Sequence, residues 1–330
     1  MPAGDELEPV KANIMAQSST QSSSAAVLRI GTRGSPLALA QAAMVRARLA
    51  ASQGVDEARI PLVIIRTTGD MIQDRTLAQA GGKGLFTKEI EEALLAEEID
   101  VAVHSAKDMP TVLPDGLSIA AVLPREDARD VFIGRAVKTL RDLPAGAVVG
   151  TASLRRQAIV KRLRHDLDVV PLRGNVETRL RKLKDGAVDA TLLALAGLKR
   201  LGLAEQASSI FSVDEFLPAV GQGIVAMETR ARDEATRAAL AGVDHAETAI
   251  ALAAERAFLA VLDGSCRTPI AGHAVVAAGR LRLRGLIAKP DGSAAFECAR
   301  EGAIAEAAAL GRDAGSELKR RAGADFLSAM

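Results

Sequence analysis

Short apolar runs alternate along the chain with amphipathic stretches, and the residues between them predict strands that feed helices. Leu28-Arg-Ile30 reads as a first strand, followed by Gly31-Thr-Arg-Gly-Ser-Pro36. Ser35 suits an N-cap and Pro36 the first helical position. A helix is therefore predicted to about Ser52, with Leu37, Ala40 and Met44 on one apolar face. Pro61–Arg66 is the next strand, and a helix is expected from about Phe86 to Glu98. Residues 69–84 between them have glycines at both ends and no strong period, which marks either a disordered segment or a lid over a site. The run Ile99-Asp-Val-Ala-Val-His-Ser-Ala-Lys-Asp-Met-Pro110 starts as a strand and breaks at Pro110, which pushes Met109 towards extended backbone. Ser105, Lys107 and Asp108 thus fall just past a strand's carboxyl end, the edge where open α/β sheets bind ligands. His104 is expected to face the core.

Leu117–Leu123 is predicted as a strand, and Asp130–Ile133, Ala147–Val149, Asp168–Leu172 and Asp189–Leu193 as four more. Ser153 caps one intervening helix, and Val176, Leu180 and Leu183 lie at helical spacing in another. This alternation implies mostly parallel sheets. After a connector at Leu217–Gly223 the order changes. A long Ala-rich helix, about Ala246 to Leu262, leads to a loop at 263–269, strand-like runs at 273–278, 280–287 and 294–299, and a helix from about Ile304. That order predicts a small α+β domain.

At 330 residues the chain is long for one core, so two or three domains are expected. No run approaches the roughly 20 apolar residues that span a bilayer. Residues 1–26 are rich in Ser and Gln, lack a secretory pattern and read as a disordered leader, which points to the cytoplasm. A net charge of +1 with no Tyr or Trp argues against a nucleic-acid surface. The two cysteines, Cys266 and Cys298, match neither a disulfide framework nor a metal-ligand spacing.

Three strand-to-helix turns carry arginine near a helix start: Arg33, the pair Arg155 and Arg156, and Arg173 with Arg179 one turn further on. Helix N-termini attract anions, and the guanidinium fork suits carboxylate or phosphate. Any one of these arginines could equally be a solvated surface charge. Several at one edge imply a cleft for a small molecule with several carboxylates or phosphates. Phosphate is disfavoured because Gly81-Gly-Lys-Gly84 lacks the rest of a P-loop. Asp108 stands among these cations either as a working carboxylate or as the partner of Lys107. Cys266, in a loop between Gly264 and Pro269, reads as a nucleophile or an inert thiol.

Seven runs in register, taken together, resemble the porphobilinogen deaminase (hydroxymethylbilane synthase) family. They are Gly31–Gln41, Gly81–Phe86, Val103–Pro110, Gly150–Gln157, Leu172–Val176, Leu217–Gly223 and Gly264–Ile270. The resemblance implies an α/β fold of two periplasmic-binding-protein-like (type II) domains with a cleft between them, plus a small C-terminal α+β domain. The expected division is 27–124 with 222–242, then 125–221, then 243–330. It further implies a dipyrromethane cofactor held at Cys266 by a thioether and built from two porphobilinogen units. Four further units are added head to tail with loss of ammonia, and hydrolysis releases hydroxymethylbilane. Loss of ammonia leaves a cationic azafulvene-like methylene, and Asp108 matches the family's catalytic aspartate.

By position, the resemblance assigns Lys83, Ser105, Lys107, Thr151, Ser153, Arg155 and Arg156 to the cofactor. It assigns Arg33, Ser35, Arg173, Arg179 and Arg200 to the incoming porphobilinogen. No metal is implied. A monomer without nucleic-acid or membrane partners is expected, its product released free or handed transiently to uroporphyrinogen-III synthase. Gln79, Ala152 and Arg267 stand where lysine, serine and glutamine are frequent, which touches only lid and cofactor contacts. A non-catalytic anion-binding module of the same architecture would explain the arginines but leave Cys266 and Asp108 idle.

Overall fold

The computed structural model describes residues 27–71, 86–263 and 268–328. The predicted leader, most of the predicted lid with Lys83, and Cys266 lie outside the described residues.

The first lobe comprises β1 (Ile30–Arg33), α1 (Pro36–Gln53), β2 (Leu62–Ile65), the short α2 (Thr68–Met71), α3 (Lys88–Leu95), β3 (Val101–Ser105) and β4 (Leu117–Val122). The second comprises β5 (Asp130–Gly134), β6 (Val148–Gly150), α4 (Leu154–Leu163), β7 (Asp168–Val170), α5 (Val176–Lys184), β8 (Ala190–Ala194), α6 (Leu195–Arg200) and β9 (Ser209–Ile210). The chain then returns to the first lobe through β10 (Val225–Arg230) and α7 (Glu234–Ala241). A third unit packs α8 (Ala246–Val261) and α9 (Ala307–Ser328) on β11 (Ile270–Ala277), β12 (Arg280–Ala288) and β13 (Ala295–Ala303).

The strand orders are β2-β1-β3-β10-β4 and β7-β6-β8-β5-β9. Each sheet therefore has the same plan: three parallel strands, then one antiparallel strand from a crossing segment, then a last strand. This is the type II arrangement of periplasmic binding proteins, with a C-terminal α+β unit added. The expectation of mostly parallel sheets needs correction at β10 and β5, which run antiparallel to their neighbours. Each enters from the other lobe and so starts where the parallel strands end. That reversal matters for the site. Val225 at the start of β10 pairs with Ser105 at the end of β3, and Asp130 at the start of β5 pairs with Ala194 at the end of β8.

Local signals explain most boundaries. Ser35, Ser153 and Asn175 cap α1, α4 and α5, accepting from the backbone N–H groups of Ala38, Arg156 and Thr178. The predicted apolar face of α1 is rotated, because Ala38, Gln41, Ala42, Val45 and Leu49 are buried whereas Met44 is exposed. This helix is alanine-rich nearly all round, so its period does not select one face. The predicted β1 also starts late, at Ile30.

Both crossings are pinned to α8. Buried Glu255 accepts from Arg125 Nη1 at 2.5 Å, Gly221 N at 2.7 Å and Ala274 N at 2.6 Å, so one carboxylate ties both crossings to the third unit. Gly221 and Gly223 have φ of +71° and +89°. A Cβ on Gly223 would stand 2.3 Å from the carbonyl oxygen of Glu126, and one on Gly221 3.0 Å from the backbone at Ala106 and Lys107. Gly223 passes too close to the other crossing, and Gly221 too close to the turn after β3, for a side chain to fit without strain.

Gly223→Ala should therefore lower stability by about 3 kcal/mol, through strained backbone and a clash with main chain. Chemical denaturation checks this; a variant within about 0.5 kcal/mol of the parent, the usual range of neutral surface changes, would show that the crossings separate freely.

Candidate functional site

Between the lobes lies a cleft of about 810 Å³. Its chemistry is one-sided. Among the described residues lining it are seven arginines, Lys107 and a single acidic residue, Asp108.

The first lobe contributes Arg33 and Ser35 at the β1–α1 turn, and Ser105, Lys107 and Asp108 after β3. Arg33 lies over the ring of Phe86, 4.2 Å from its centroid. Ser105 Oγ is paired with the side-chain amide of Gln41 at 2.9 Å, which explains the polar residue in the buried row of α1. Residues Ala106–Asp108 form a short 3-10 turn whose first N–H donates to Ile224 O at 2.9 Å. The turn leaves Asp108 exposed. Lys107 is half-buried, with Nζ 3.4 Å from Gln222 Oε1. Desolvation in the cleft lowers its pKa to about 8, although Asp108 pulls the other way. His104 is buried beside Glu228 at 3.1 Å, facing the core as expected.

The second lobe contributes Ser153, Arg155 and Arg156 at the start of α4, Arg173 and Arg179 around α5, and Arg200 at the end of α6. Arg155 and Arg156 are nearly inaccessible, at 4% and 5% exposure, because both are bound to fully buried Asp130. Arg155 Nη2 donates to Asp130 Oδ2 at 2.8 Å and Arg156 Nε to Asp130 Oδ1 at 2.9 Å. Their remaining bonds go to the carbonyls of Leu217 and Leu192. Burial alone would raise the Asp130 pKa, but the charges of Arg155 and Arg156 outweigh it and hold the carboxylate below its ordinary range. Arg179 donates to Gly174 O at 2.8 Å. Its pKa falls to about 10 through desolvation and the Arg156 charge, opposed by Asp108 from the other lobe. Arg200 donates to Gly223 O at 2.7 Å. Thr151 is buried and accepts from Ser153 N at 3.2 Å; it shapes the turn and does not line the cleft.

Eleven of the residues singled out by sequence therefore share one cleft. Sequence reasoning missed Arg66, Gln41, Gln222 and Asp130. The signal for Asp130 was a carboxylate opening an apolar strand, and for Gln222 its place between two glycines. Three buried donors on cleft-lining arginines have no protein partner: Arg155 Nε, Arg173 Nη1 and Arg200 Nε. Such orphaned donors fit ligand carboxylates. Among the described residues no acidic, histidine or cysteine cluster could hold a metal ion.

The fold and the cleft define a two-lobed α/β protein with a third unit and a cation-lined cleft that, among the described residues, holds one carboxylate. The "Porphobilinogen deaminase, dipyromethane cofactor binding domain" model matches residues 28–238, and the "Porphobilinogen deaminase, C-terminal domain" model matches residues 249–320. The chain is 62% identical over 299 residues to the porphobilinogen deaminases of Nitrobacter winogradskyi and Nitrobacter hamburgensis, covering 91% of this chain and 95% of each relative. Among solved structures, the methionine-binding protein MetQ superposes with a TM-score of 0.43 at 14% identity, over 67% of this chain and 91% of that one. The chain belongs to the porphobilinogen deaminase family. Its reaction is hydroxymethylbilane synthesis: four porphobilinogen units are joined head to tail on a dipyrromethane primer with loss of ammonia, and hydrolysis frees the product for tetrapyrrole biosynthesis.

Asp130 links the site to stability. Its folded pKa lies below the unfolded value of about 4, so its contribution is present above that pH and is lost as pH falls through the folded value. Asp130→Asn leaves two buried guanidinium groups without their counter-charge and should cost about 3–5 kcal/mol near neutrality. It should also flatten the acid limb of the stability curve. An acid limb as steep as the parent's, in denaturation across pH, would assign that limb to other carboxylates.

Proposed function

We propose that Asp108 is the catalytic carboxylate of this synthesis and that Cys266 carries the dipyrromethane through a thioether. The observation that carries the first assignment is that Asp108 is the single acidic residue among the described lining of a cleft with seven arginines. A polycarboxylate ligand neutralises the arginines, while the carboxylate is kept for positive charge. As ammonia leaves the aminomethyl group of porphobilinogen, the methylene carbon and its pyrrole become cationic. Asp108, exposed at the tip of its turn, accepts a hydrogen bond from the pyrrole N–H and steadies that charge as it develops. Its protonated form assists departure of the amine. When bound, the dipyrromethane supplies the nucleophilic pyrrole carbon from which the chain grows.

In this reading Ser105, Lys107, Ser153, Arg155 and Arg156 hold cofactor carboxylates, with Lys83 and Thr151 assigned by position. Arg33, Ser35, Arg173, Arg179 and Arg200 hold the acetate and propionate of the incoming unit. The orphaned donors on Arg155, Arg173 and Arg200 support these roles. Leu259 and Thr268, before and after Cys266 in the chain, both line the cleft, which supports the tether. Three sheets with their own cores support the domain division 27–124 with 222–242, 125–221 and 243–330. A cleft lined from all three units of one chain supports a monomeric working form. A thiol that must stay free until it is loaded favours the cytoplasm.

Intact mass should reveal a covalent dipyrrole on the purified protein that is absent from Cys266→Ala; an unmodified thiol in active protein would refute the tether. Asp108→Asn should stay folded and loaded while ammonia release falls about 10²–10³-fold, the usual loss for one charge-stabilising group. Near-parental ammonia release by this variant would show that another group carries the charge.

A further inference from the structure

The turn bearing Asp108 is held from two sides. Upstream, Ala106 N donates to Ile224 O. Downstream, Arg256 of α8 reaches across from the third unit, and its Nη2 donates to the carbonyl oxygens of both Pro110 and Thr111, each at 2.9 Å. Consecutive carbonyls converging on one point repel each other unless a cation stands between them. Arg256 is half-buried, and desolvation lowers its pKa, opposed by the charge of buried Glu228 on β10. A second contact joins the same elements, because buried Met109 packs in one apolar cluster with Leu252 of α8 and Ile224. The helix that grips this loop ends at Val261, shortly before Cys266 in the chain.

We propose that Arg256 is a positioning residue for Asp108, tying the catalytic turn to the helix that leads into the Cys266 loop so that the two shift together. The proposal rests on the assignment of Asp108 above. Its consequence is that the carboxylate keeps one position relative to α8. Arg256 lies outside the lining of the cleft, so it acts through the backbone of 110–111 and not on substrate.

The test is a double-mutant cycle on holoenzymes: R256M and R256K, each alone and combined with D108E. R256M should keep its covalent cofactor by intact mass and a KM for porphobilinogen within about twofold, while kcat falls about 10–100-fold, the scale expected for misplacing a catalytic group by an ångström. R256K, which restores a cation between the carbonyls, should recover part of that loss. With D108E, whose carboxylate is already displaced, adding R256M should lower kcat by less than about threefold, since neighbouring contributions do not add. An R256M kcat within about twofold of the parent's, an equal fold loss in both backgrounds, or loss of the cofactor would overturn the proposal. Full activity of D108N would remove the Asp108 assignment and this proposal with it.

Discussion

Two guanidinium groups cannot lie side by side inside a protein without a counter-charge, and the floor of this cleft depends on how Asp130 provides one. Fully buried, it binds Arg155 and Arg156 together and leaves the trio one positive charge in excess. The excess reaches its neighbours in both lobes, since desolvation, joined by the Arg156 charge, lowers the pKa of Lys107 and Arg179. The cations are therefore packed closely enough to destabilise one another's charged forms. A ligand rich in carboxylates would relieve that repulsion, which is the physical ground for the proposed binding of an acetate- and propionate-bearing chain here.

The delivery of Asp130 follows from the crossings. In a purely parallel sheet the residue opening a strand lies at the edge away from the ligand. Because β5 is antiparallel, its first residue stands beside the end of β8 and the start of α4, within reach of both arginines. The mirror crossing works likewise. The start of β10 meets the end of β3, and Ile224 O accepts from the turn that presents Asp108. One topological device, used once in each lobe, thus carries the buried counter-charge to one wall and steadies the exposed carboxylate on the other.

What the sequence made legible was local. Ser35, Ser153 and Asn175 announce helix starts, and the arginines near those starts announce the cleft, because caps and turns are written within a few residues. Chemistry resting on partners far apart in the chain left little trace. Arg155 and Arg156 read as open ligand-binding forks, whereas much of their bonding capacity goes to Asp130, 25 and 26 residues earlier in the chain. The strand β10 was hidden because its pairing is set by segments more than a hundred residues earlier, and the buried face of α1 because alanine on every side erases the period. Family resemblance supplied roles for Lys83 and Cys266 that no periodicity could supply.

The two aspartates facing this cationic array do opposite work for one reason, solvent access. Asp130 is sealed, so its charge is committed to Arg155 and Arg156 and cannot turn to a transient ligand cation. Asp108 stands exposed at the end of a short turn, within electrostatic reach of Lys107 and Arg179 but sealed by neither, so its carboxylate stays open to a ligand. A second exposed carboxylate in the cleft would compete with ligand carboxylates for the arginines and repel the chain it is meant to process. In the proposed reading, one acidic side chain is thus the number that a polyanionic substrate with a momentarily cationic carbon allows, and the bonds to Ile224 and from Arg256 that hold its turn from two sides are what would keep that charge in register with the reacting carbon.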